Sequence, residues 1–171
     1  MLTDEDLFLR YRGKAVLLDS NLLLVFLCGA LGSSVFKRFK RISAYTPRDY
    51  ELLAQLLAQF SVLATTPHIL TEVGNLANSL PSWHKPDWYR NLAALFEPDG
   101  NRIRVLERWI PAVELMHASE FVSFGITDAA VASLCGEMLL VTEDCRLSSV
   151  LQSRGLPAIN FNHIKQLQGR F

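Results

Sequence analysis

The stretch Ala15-Val16-Leu17-Leu18-Asp19-Ser20-Asn21 decides how this chain is read. An apolar run ends in a carboxylate, a hydroxyl and an amide, and apolar residues resume at Leu22. Such a run fits a strand buried on both faces, and in an open α/β sheet the groups just past a strand's carboxyl end line the ligand crevice. That reading places Asp19 for chemistry. A buried helix segment would carry the same apolar run, and an Asp before Ser and Asn also suits a turn or a helix cap. What decides between them is whether other acids reach the same edge.

Outward from this stretch, the residues before it (6–14) mix apolar and basic side chains and suit a short arm or helical turn. After Asn21 a helix runs to about Leu31, where Gly29, Gly32, Ser33 and Ser34 loosen it. The chain's dense basic run follows, Phe36-Lys37-Arg38-Phe39-Lys40-Arg41. It reads either as solvated surface or as a phosphate-tracking patch in which Lys37, Arg38, Lys40 and Arg41 bind RNA and Phe36 or Phe39 stacks a base. Thr46-Pro47-Arg48-Asp49 is a helix start, with a capping hydroxyl and Pro at the first helical position. Residues 62–64 form a short second strand. Thr66-Pro67 opens a further helix with Ile69, Val73, Leu76 and Leu80 on one face, and Glu72 falls on the border of that stripe with His68 one turn before it. A lone His in such a place is usually structural.

Residues 81–86 form a loop, and a helix begins at Asp87. Trp83, Trp88 and Tyr89 read as packing residues. Residues 98–101 are turn chemistry, 103–106 a third strand, and 111–120 a helix whose apolar residues are too closely grouped for a clean face. Gly125-Ile126-Thr127-Asp128 stands at the entrance of an Ala-rich helix, where Asp128 is either a cap or a functional acid. Met138-Leu139-Leu140-Val141-Thr142-Glu143-Asp144 repeats the form of the first stretch, a strand running into an acid before a helix. Gly155 closes that helix, and 157–161 read as a last strand. Strands alternating with helices argue for an α/β fold, a three-layer α/β/α sandwich on a parallel sheet of about five strands.

Length and composition bound the possibilities. The 171 residues suit a single domain spanning 1–171, and a composition half hydrophobic and one-fifth charged is that of a globular chain. The apolar run from Leu22 to Leu31 is too short for a membrane span, and the acidic start, Met1-Leu2-Thr3-Asp4-Glu5-Asp6, is unlike a signal peptide, so the expected compartment is the cytoplasm. Cys28, Cys135 and Cys145 lack zinc or CxxC spacing and read as buried thiols in a reducing environment. With 17 basic and 17 acidic side chains, the molecule as a whole does not attract polyanions, and affinity for nucleic acid has to come from a local patch.

Asp19 and Asp144 each end a parallel strand, Asp128 opens the helix leading into the second of those strands, and Glu72 borders a buried helix face. Each has a local explanation, but one shared site is more economical than four separate ones. Carboxylates within ~4–6 Å raise one another's pKa, and holding them ionised together takes cations. A set of hard oxygen ligands suits Mg²⁺ or Mn²⁺ rather than zinc. Such ions activate water and neutralise charge on a phosphodiester, which makes metal-assisted hydrolysis of nucleic acid the expected reaction.

At these residues the chain resembles the PIN-domain nucleases, in particular toxin ribonucleases of the VapC type. The matching pieces are Leu18-Asp19-Ser20-Asn21, Thr71-Glu72-Val73 with Asn75-Leu76, Ile126-Thr127-Asp128-Ala129-Ala130-Val131, and Val141-Thr142-Glu143-Asp144, in the family's order and across most of the chain. The resemblance implies a compact α/β/α sandwich, Mg²⁺ or Mn²⁺ held by Asp19, Glu72, Asp128 and Asp144, and endonucleolytic cleavage of RNA. It also implies support of the acids by Asn21 and Thr142, and, for a toxin, a cognate antitoxin and a homodimer as partners. Arg146 stands where family members often carry a further acid, and the segment between Gly29 and Thr46 is longer than in the smallest toxins. Two other readings stay open. One is a PIN scaffold with idle acids, used to bind RNA or protein. The other is a phosphoryl-transfer enzyme, disfavoured because Asn21 stands where an Asp-x-Asp phosphatase places its second acid.

Overall fold

The computed structural model describes residues 3–97 and 103–166. In chain order the elements are α1 (Asp4–Tyr11), β1 (Ala15–Leu18), α2 (Ser20–Gly29), α3 (Val35–Arg38), a 3-10 turn (Lys40–Ile42), α4 (Pro47–Leu57), β2 (Val62–Thr65), α5 (Pro67–Ala77), α6 (Lys85–Ala94) and β3 (Arg104–Glu107). There follow α7 (Ala112–His117), α8 (Ser119–Phe124), α9 (Ile126–Leu134), β4 (Leu139–Thr142), α10 (Cys145–Ser153), β5 (Ala158–Asn160) and α11 (Phe161–Gln166). The strands form one sheet in the order β3-β2-β1-β4-β5, every neighbouring pair parallel. With its flanking helices this is the three-layer α/β/α sandwich expected from the sequence.

The register explains why β1 and β4 are the most apolar strands. Val16 pairs with Leu63 on one side and Leu139 on the other, and Leu17 with Ala64 and Leu140. A strand with partners on both edges and helices on both faces has no polar surroundings, and Val16, Leu17, Leu139, Leu140 and Val141 are fully buried. At the edge, β3 turns Arg104 and Glu107 to solvent, charges that blunt an open strand edge. No helix among the described residues is long and apolar enough to cross a membrane.

Several local expectations change. The N-terminal arm is a full helix with a capping box, in which Thr3 and Asp6 satisfy each other's amides. Residues 111–120 are not one helix: α7 and α8 break at Ala118, which is extended at φ −69° and ψ 141°. Positions five apart on a continuous helix point about 140° apart, and the break lets Leu115 and Glu120 both turn inward. Gly29 does not loosen α2; it is the helix's buried last residue, against the Tyr50 ring of α4. Of the three aromatics around α6 only Trp88 is buried, while Trp83 and Tyr89 face solvent, as does Cys145. The remaining thiols, Cys28 and Cys135, are buried, which pushes each up to about 12. The turn expected at 98–101 lies outside the described residues.

Candidate active site at the carboxyl edge of the sheet

The strand order reverses direction between β1 and β4, because the chain leaves β1 toward β2 and β3 and returns to lay β4 on the other side. A crevice opens outside the carboxyl ends of strands at such a point. The pairing of Leu18 with Val141 puts the residues that follow, Asp19 and Thr142, side by side there.

Asp19 is buried and caps α2, with Oδ1 accepting from the Leu22 amide at 2.7 Å. Its Oδ2 accepts from the Thr142 hydroxyl and from the Glu143 amide at 3.0 Å. Burial raises the Asp19 pKa, and these three hydrogen bonds oppose that rise. The Thr142 oxygen also accepts from the Asp144 amide at 3.0 Å, so one hydroxyl ties together the two strand ends. Asp144 is exposed and caps α10, its Oδ1 accepting from the Arg146 and Leu147 amides at 2.8 and 2.9 Å. Both strand-end acids are therefore helix caps as well as members of the site.

The other two acids arrive from α5 and α9, which pack together. Glu72 is half-buried, and its Oε2 accepts from the Ser20 hydroxyl at 3.1 Å, which fixes α5 to the start of α2. Asp128 does not cap α9. That position belongs to Gly125, whose φ of +89° lies where L side chains are strained, and it sets Asp128 within the first turn. Half-buried and without a hydrogen bond to any described residue, Asp128 is pushed up to about 7. Burial is the largest cause, followed by the charges of Glu72, Asp19 and Asp144. All three other acids therefore act on this one carboxyl.

An all-carboxylate set with one unpartnered member fits a hard divalent cation in donor chemistry. As the side chains stand, no group of three carboxylate, imidazole or thiolate residues among the described residues is placed to hold an ion. Holding a cation here would require side chains of this set to move from these positions.

Asn21 is exposed, with no side-chain hydrogen bond to a described residue. Its neighbour Ser20, not singled out from the sequence, makes the contact to Glu72. A second group also escaped the sequence reading. Lys165 Nζ lies 2.6 Å from Glu143 Oε1 and 3.5 Å from Asp49 Oδ1, over the rings of Tyr45 and Phe161. Burial, and then the hydrogen bond to Glu143, push the Tyr45 hydroxyl above its ordinary range. Together these contacts hold the turn that carries the amide bound to Asp19. Only the position of Glu143 between Thr142 and Asp144 hinted at it.

The basic run divides by face. Lys37, Arg38, Lys40 and Arg41 are exposed, whereas Phe36 and Phe39 are 4% and 1% exposed and belong to the core. Stacking of a base on either ring is ruled out by that burial. A cleft of about 390 Å³ adjoins the acids, lined from α5 and α9 and walled in part by Glu72. A separate cavity of about 520 Å³, bounded by Phe8, Leu52, Leu56 and Ile164, contains none of the four acids. Comparison with protein-family models, with curated proteins and with solved structures finds no match for this chain.

Proposed function

We propose that this protein is a Mg²⁺- or Mn²⁺-dependent endoribonuclease of the PIN type. The observation that carries the reading is the combined action of Glu72, Asp19 and Asp144 on the half-buried Asp128 carboxyl at the strand-order reversal. Four acids gathered at a ligand crevice repel one another, and a divalent cation relieves that repulsion. Asp19, Glu72, Asp128 and Asp144 would hold it, and the ion would supply an activated water and charge neutralisation at a phosphodiester. Thr142 and the Glu143 amide keep Asp19 oriented, and Ser20 does the same for Glu72. Asp128, without a hydrogen bond of its own among the described residues, is the member with most freedom to turn toward a ligand. Lys37, Arg38, Lys40 and Arg41 offer a basic surface to the RNA backbone. The resemblance to toxin ribonucleases adds a cognate antitoxin and a homodimer to the proposal.

Purified protein should cleave RNA with Mg²⁺ or Mn²⁺, and EDTA or Asp128→Asn should reduce the rate at least ~100-fold, the scale on which loss of metal-centred charge stabilisation acts. Cleavage indifferent to both treatments defeats the proposal. The second reading, an idle scaffold that binds RNA or protein, draws on the engagement of both Asp19 oxygens and of Asp144 by neighbouring amides and hydroxyls. Calorimetric titration with Mn²⁺ separates the two. A working site binds the ion and loses it in Asp19→Asn; an idle one gives no heat in either protein.

A further inference from the structure

We infer that the cleft between α5 and α9 is a nucleobase subsite, receiving the base of a nucleotide next to the bond cleaved in single-stranded RNA; this rests on the nuclease reading and deepens it. His68, Thr71, Glu72 and Asn75 follow one another on α5 at helical spacings of three, four and seven, so they form a stripe about 10 Å long. Ile126 and Thr127 face them from the first turn of α9. The cleft volume, about 390 Å³, lies within the range of small-molecule sites.

One buried atom in its lining separates this cleft from ordinary surface. Among the described residues, none of the side chains of His68, Thr71, Asn75 and Thr127 has a hydrogen-bond partner, and His68 Nδ1 is buried without one. At the same edge Ser20, Asp19, Thr142 and Asp144 are engaged, while Asn21 and Asp128 have no side-chain hydrogen bond to a described residue. Thr71 and Asn75 are exposed and open to a solute, and the buried His68 Nδ1 stands at the same wall without a partner among the described residues.

The chemistry of the lining selects a base. Pro67 and Ile126 offer apolar carbon and His68 a flat ring, which is what the face of an unstacked base requires. Asn75 carries a donor and an acceptor side by side, a pattern that pairs with a base edge offering an acceptor beside a donor, as the unpaired edges of all four bases do. Glu72 belongs both to this wall and to the acidic group, so a base seated here leaves its phosphate beside the acids. Asn75 thus becomes the residue that fixes the edge of the base.

The test follows the imidazole C–H signals of His68, identified by their loss in His68→Gln, while the full-length protein is titrated with adenosine, cytidine, guanosine and uridine. The expected result is a saturable shift, with the most tightly bound nucleoside weakened at least about fivefold in Asn75→Ala, as loss of one bidentate base contact requires. Absence of a His68 response to all four nucleosides overturns the subsite, as does binding that Asn75→Ala leaves unchanged. Cleavage measured alongside keeps the two proposals apart. An active nuclease with silent His68 signals loses only the subsite, and a responsive cleft in a protein that cleaves nothing overturns the nuclease reading and leaves a base-binding cleft without a cleavage role.

Discussion

Asp128 is held where its own charge is unfavourable, and this has a consequence for stability as well as for chemistry. Its folded value of about 7 lies above the ~3.9 of an unfolded Asp. For a group shifted in that direction the folded state holds the extra proton. The contribution to stability is therefore complete below about pH 4 and is lost as pH rises through about 7. Asp19, raised by burial, acts with the same sign. Asp128→Asn removes the penalty, so the variant should be more stable than the wild type at about pH 8, by on the order of 1–2 kcal/mol once solvent screening is allowed for, with the difference shrinking toward about pH 5. Urea unfolding at the two pH values measures it. A variant less stable than the wild type at the higher pH means that ionising Asp128 in this site carries no penalty, from burial or from the other acids. A residue that costs stability at working pH and whose removal abolishes cleavage has the signature of a site held for function.

At the scale of elements, the acids are placed by helix contacts as much as by strands. The α2–α4 contact depends on Gly29, because a Cβ there would stand 2.2 Å from Tyr50 Cδ2. Tyr50 cannot simply withdraw, since its ring packs against Phe26 with centroids 6.1 Å apart. Gly29→Ala should therefore destabilise the protein by about 1–3 kcal/mol despite the better helix propensity of Ala. Chemical denaturation checks this, and the deficit should be largely recovered when Tyr50→Ala is added. Failure of the second substitution to restore stability would show that the contact is not the cause. The Gly125 turn has a parallel role at α9, aiming Asp128 by a backbone conformation that few other residues adopt.

At the scale of the whole molecule, the proposed action on RNA requires a chain of zero net charge to concentrate its basic side chains locally. In the run after α2 the four basic side chains are exposed, while its two Phe residues anchor it in the core, so the patch is rigidly presented rather than a loose arm. Replacing Lys37, Arg38, Lys40 and Arg41 together with Gln should flatten the dependence of RNA binding on salt, by up to about 0.7 in logarithmic slope for each phosphate that is no longer neutralised. Fluorescence anisotropy across a salt series reads that slope. An unchanged value assigns the run to ordinary solvated surface.

The amino-acid sequence alone was enough for the layered parallel architecture, because strands buried on both faces must be short and apolar and the helices between them announce themselves by period and caps. The ends of β1 and β4 were legible in part for the same reason, since a carboxylate directly after Leu18, and another two residues after Thr142, suit the sheet's edge, although a buried helix or a cap would carry the same residues. Tertiary structure decided everything that depends on which elements meet. It showed that Phe36 and Phe39 point inward, that Gly29 is a close contact and not a breaker, and that Ser20, rather than Asn21, reaches Glu72. It also brought Lys165 back over Tyr45 and against Glu143, although Tyr45 stands in the first third of the chain and Lys165 near its end. Periodicity reports which face of an element is apolar, but packing alone determines what that face and its polar border touch.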